Sequence, residues 1–137
     1  MAGRFSTAFV LMMGLAAFAA TPASAQELDG TVITPLMSKP FGDIDGKEGL
    51  VVAVEYEPGA STPKHLHEAH VFVYMLEGSI NMQVEGGELV TLNPGEMFYE
   101  LPTDVHLVSE NASDTESAKF LAFFVKDEGK PPVIMPE

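Results

Sequence analysis

The sequence predicts an all-β fold, one barrel or sandwich of short strands, and three observations predict it. β-Branched and aromatic residues gather in short runs, notably residues 50–56, 71–76 and 119–125, the composition of strands. Apolar and polar residues alternate at Ile80, Met82 and Val84, the period-two mark of a strand with one buried face. Turn residues punctuate the runs at Pro58-Gly59, Glu77-Gly78, Gly86-Gly87 and Pro94-Gly95, and beyond residue 25 no segment of ten or more keeps a helical period.

Taken in order, residues 1–25 read as an export signal. Arg4 gives the positive start, residues 9–20 the apolar run, and Ala23-Ser24-Ala25 a small-residue cleavage site before Gln26. That run is shorter than the ~20 residues needed to span a bilayer, so the expected address is the periplasm or beyond, in a bacterial host, with no membrane attachment in the mature form. Residues 31–34 form an edge strand interrupted by Pro35 and Pro40, which have no N–H to give a ladder. Residues 50–56 are the first strong strand and residues 71–76 the second. Glu77-Gly78 turns the chain into 79–84, and Glu85-Gly86-Gly87-Glu88 makes a hairpin because glycine tolerates the positive φ that tight turns require. Short strands follow at 89–92, 97–100, 105–109 and 119–125, separated by the turns 93–96 and 102–106 and a polar stretch at 111–117. Residues 130–137 read as an extended tail.

With 137 residues, a single domain over 26–137 with its core in about 50–125 is the expectation. There is no cysteine, so disulfide and thiolate chemistry are excluded and any metal must be held by nitrogen and oxygen. The formal charge is −13, and loss of Arg4 with the signal makes it one unit more negative. Such a surface repels phosphate backbones and anionic membranes, which excludes nucleic acid as a partner. The apolar segments Val32-Ile33 and Val133-Ile134-Met135 suggest faces that a second copy would cover, hence a homodimer.

Three of the four histidines stand together, at His65, His67 and His70, and the fourth is His106. Residues two apart on an extended chain face one side, so His65 and His67 present two imidazoles to one point, and His106 is their natural partner. Convergent imidazoles are a metal-binding arrangement. Glu100 is a carboxylate on an otherwise apolar strand. It either faces solvent or turns inward, where burial suits it to general acid or base catalysis or to metal ligation, and parity cannot be carried across the Pro102 turn to decide. Met75, Met82 and Met97 are expected to fill the core, with Met75 on the His67 parity.

Gly59-x5-His65-x-His67 closing at Gly78, then Gly95 through Pro102 to His106 with Asn111 beyond, resembles the two motifs of the cupin superfamily over about residues 50–125. The resemblance implies a single cupin-type β-barrel, a double-stranded β-helix of jelly-roll character. It also implies a divalent metal ion (Fe, Mn, Zn, Ni or Cu) and a small-molecule ligand or substrate. Two positions depart from the family pattern. The family's first motif carries a glutamate four residues after the second histidine, where this chain has Val71, and its second motif has a Pro-x-Gly turn where this chain has Pro102-Thr103-Asp104. His70 is therefore a fourth candidate ligand, provided that a bulge near Glu68-Ala69 turns it inward.

Two functions fit these residues. One is a metal-dependent enzyme of the dioxygenase, isomerase or lyase kind acting on a small carbonyl or phenolic compound. The other is a non-catalytic cupin that binds a metal or a small ligand.

Overall fold

The structure is a computed structural model, and it describes residues 25–136. The export segment 1–25 thus lies, but for Ala25, outside the described residues. Among the described residues ten strands are formed: β1 (Gln26–Leu28), β2 (Thr31–Pro40), β3 (Lys47–Tyr56), β4 (His65–Leu66), β5 (Ala69–Glu77), β6 (Ile80–Val84), β7 (Val90–Leu92), β8 (Met97–Glu100), β9 (Val105–Asn111) and β10 (Ala118–Asp127). They make a six-stranded sheet in the order β1-β2-β3-β10-β5-β8 and a four-stranded sheet in the order β4-β9-β6-β7. Every pairing is antiparallel. No helix occurs among the described residues, and the fold is the all-β double-stranded barrel that the sequence predicts.

Alternation puts the core between the sheets. On β5 the residues Ala69, Val71, Val73 and Met75 are buried while His70, Phe72 and Tyr74 are exposed. On β10 the buried set is Ala118, Phe120, Ala122 and Phe124, and Ile80 and Met82 of β6 with Leu92 of β7 face them from the smaller sheet. Removing these side chains from water drives the closure.

Two expectations need correction. β2 does not stop at Pro35. It runs to Pro40 because its ladder to β3 shifts register between Pro35 and Met37, and a bulge is a place that tolerates a residue with no N–H. Met97 is not a core residue: Phe98 and Glu100 take the inward positions of β8, so Met97 is 59% exposed on the outer face. The extended C-terminal tail is docked: Leu66 and Ile134 exchange backbone hydrogen bonds of 2.9 Å in both directions. That docking engages the backbone of Ile134, and Ile33 packs partly buried against the core, while Met135 stays 49% exposed.

Candidate metal centre

The site begins where the chain crosses between sheets. β4 is only His65 and Leu66, and His65 lies directly opposite His106 on β9. His67 follows two residues after His65 and shares its facing. The three side chains are 5%, 7% and 1% exposed. His65 and His106 stack with ring centroids 4.7 Å apart, and His67 meets them edge-on at 4.9 and 5.5 Å. One ligand atom from each lies within 4.8 Å of the others.

A bulge aims His106. Ser109 and Asn111 of β9 face inward, and strict alternation would put Leu107 inward next. The β6–β9 ladder instead pairs Gln83 with Val108 and Val84 with His106. The skipped Leu107 is 41% exposed, and His106 takes the inward position. One extra residue re-aims a side chain at the site, the usual role of a bulge beside a functional centre.

Hydrogen bonds fix which nitrogens remain free. His65 Nδ1 donates to the Pro63 carbonyl at 2.8 Å, and His67 Nδ1 donates to the Pro132 carbonyl at 2.5 Å. A carbonyl only accepts, so Nδ1 carries the proton and Nε2 keeps its lone pair. Burial pushes the His65 imidazole down from 6.5 to about 4, against the smaller upward pull of its Pro63 bond. His67 is also lowered, with burial outweighing the nearby Glu100 carboxylate and the Pro132 bond. Both rings are neutral at pH 7, the form that ligates metal.

Glu100 turns inward. It is the register partner of Val71 and is 2% exposed. Its Oε2 is 3.0 Å from His106 Nε2 and 3.3 Å from His67 Nε2. Neither contact is aligned as a hydrogen bond, so Glu100 Oε2 and both ring nitrogens of His106 are buried without a partner. Such orphans are costly unless something else meets them. Lone pairs converging from imidazoles and a carboxylate are the donor set of a divalent cation, and the residues fit one.

His70 does not join them. Burial alternates without interruption from His65 through Val71, so no bulge occurs at Glu68-Ala69 and His70 faces outward. There its Nδ1 is 2.6 Å from Tyr99 Oη and its ring stacks on that of Tyr99. Asp104 belongs to the turn, its Oδ2 accepting from the Leu101 N–H at 2.7 Å. Asn111 is structural: its amide donates to the carbonyls of Glu57 and Glu116 at 3.0 and 2.8 Å and ties two loops together. The contribution of Pro132 was not legible in the sequence. Its only signal is a β-branched pair, Val133-Ile134, following two prolines, and nothing in that pattern names a strand to dock on.

The histidines and Glu100 form one wall of a cavity of about 320 Å³. Its other walls are mainly apolar, with Val52, Val54, Val73, Phe120, Ala122 and Phe124 prominent. The hydroxyl of Tyr56, 2.6 Å from Thr62 Oγ1 and 2.9 Å from Ser109 Oγ, adds a polar spot. The volume is at the small end of organic-ligand sites.

Fold and site together define a small double-stranded β-barrel with convergent histidines on its inner wall. Residues 52–124 match the family described as Cupin domain, more than half of the chain, and the chain belongs to that family. No curated protein matches it. Similar solved structures include an RmlC-like cupin from Shewanella frigidimarina NCIMB 400, at 17% identity over 77% of this chain and 86% of that one, TM-score 0.61. The polyketide cyclase RemF from Streptomyces resistomycificus is 24% identical over 80% and 71%, TM-score 0.58. KdgF from Halomonas sp. is 20% identical over 77% and 89%, TM-score 0.60. At these identities the likeness is one of fold.

Proposed function

We propose that this chain is an exported, metal-dependent cupin enzyme acting on a small, largely apolar organic molecule that carries a carbonyl or phenolic oxygen. The observation that carries the reading is the convergence of three buried imidazoles and an unpartnered carboxylate oxygen at the wall of an apolar cavity. A divalent ion bound there would supply Lewis acidity, or an activated water or dioxygen. His65, His67 and His106 hold the ion through nitrogen. Glu100 Oε2, beside two of those rings, takes a proton from the substrate or returns one. Val52, Val54 and Phe120 surround the body of the substrate and exclude water.

Turnover of small carbonyl and phenolic compounds after loading with Fe(II), Mn(II), Zn(II), Ni(II) or Cu(II) in turn tests this. Product formation with one metal supports it. Binding without turnover under every metal would leave the non-catalytic reading.

The proposal includes export, supported by the residue pattern of 1–25 and tested by mass spectrometry of the mature N-terminus, expected at Gln26. It also includes a homodimer through the outer face of the larger sheet. Phe72 lies across from Tyr99 and Phe123, and Tyr74 from Met97, all of them more than a third exposed. A contiguous apolar patch of this kind marks an interaction surface.

A further inference from the structure

The C-terminal segment is fastened at three points. At its base Lys126, 4% exposed at the end of the inward row of β10, pairs with Glu48 and donates to the Lys130 carbonyl at 2.7 Å. In the middle the Pro132 carbonyl accepts from His67 Nδ1. At the tip Ile134 exchanges two backbone hydrogen bonds with Leu66. Those bonds add a further chain to the edge of β4 opposite β9, so the two-residue strand bearing His65 is held from both sides. Pro131, Pro132, Val133 and Met135 also line the cavity. Two successive prolines fix φ and reduce the freedom that the segment would lose on docking.

The consequence lies at His67. On the cavity side its ring meets Glu100 Oε2 at 3.3 Å and the imidazoles of His65 and His106. The carbonyl of Pro132 sets which nitrogen bears the proton and holds Nε2 toward the other imidazoles. With the segment lifted, nothing on that side orients the ring, and either tautomer is open to it.

We propose that residues 131–135 are a strap whose seating is coupled to cation binding, with Pro132 as a positioning residue that acts through His67. The inference rests on the metal-site reading given above. Coupling is reciprocal: if the seated strap raises affinity for the cation, the cation must hold the strap down by the same factor.

Zn(II) affinity by chelator competition, the absorption spectrum of Co(II) at the site, and amide hydrogen exchange at Leu66 and Ile134 test it. Deleting residues 131–137 is expected to weaken Zn(II) binding on the order of 10–100-fold, to speed loss to chelator and to alter the Co(II) spectrum. Ile134→Pro, which removes the N–H given to Leu66 and leaves the Pro132 carbonyl in the chain, is expected to do the same in smaller measure. In the unaltered chain, Zn(II) is expected to slow exchange of the Leu66 and Ile134 amides, a readout that needs no variant to fold. Equal Zn(II) affinity in a folded truncation, or amide exchange indifferent to Zn(II), overturns the coupling and leaves the metal site standing. An unaltered chain that takes up neither Zn(II) nor Co(II) overturns both.

Discussion

At the scale of single residues, the site depends on how four side chains are aimed. His65 and His67 were legible because period two is a property of the extended backbone itself. His106 was legible as a partner by its spacing, although its inward facing depends on the bulge at Leu107, which no local pattern announces. Glu100 was named, but its direction had to await the structure because the Pro102 turn breaks parity. It stands across from Val71 on the neighbouring strand, so a carboxylate reaches the site from β8 at the level where the family pattern has one on β5. Replacing Glu100 by Gln keeps the shape and removes the charge. With three imidazoles retained, bound metal is expected to stay near one per chain, while turnover of any substrate found falls on the order of 10²–10⁴-fold. Unchanged turnover, or loss of the metal, would show that Glu100 does not have the role of proton carrier. The buried rings also set a pH dependence. In the unfolded chain His65 protonates near 6.5, whereas in the fold it does so at about 4. The unfolded state then binds more protons between those values, so stability of the metal-free protein is full above pH 6.5 and falls as pH drops toward 4. His65 alone contributes roughly 3 kcal/mol to this loss, read from urea midpoints between pH 7 and pH 4, and His65→Ala should flatten the slope.

At the scale of elements, the strands were legible wherever one face is buried, as on β5, β6 and β10. Long-range pairing was not. The docking of the extended tail could not be read because its partner, Leu66, is distant in sequence, and β2 resembled a broken strand because a bulge absorbs Pro35. The turn after β5 gives a sharp stability test. Gly78 has φ +68°, and a Cβ there would come within 2.4 Å of the Ser117 carbonyl oxygen and 2.9 Å of Ala118 Cα. Those atoms are backbone and cannot swing aside. Gly78→Ala is expected to destabilise by about 1–3 kcal/mol, more than Gly86→Ala, whose φ is also positive but whose surroundings are open. Equal denaturation midpoints for the two variants would contradict this reading of the turn.

At the scale of the whole molecule, an acidic chain presents a broad apolar face and a cavity lined by the histidines. The apolar face is expected to make a dimer at micromolar concentration in sedimentation, and Phe72→Glu to give a monomer. A wild-type monomer at high concentration would remove the dimer. The central claim is that the barrel holds a cation on His65, His67 and His106 and not on the outward His70. Elemental analysis of metal per folded chain measures this directly in His65→Ala, His67→Ala, His106→Ala and His70→Ala, each purified without chelating steps. The account predicts that the first three lose most of the metal and that His70→Ala keeps it in full. Retention by any of the first three, loss in His70→Ala, or a wild-type protein that stays empty after incubation with Zn, Fe(II), Mn, Ni and Cu would contradict it.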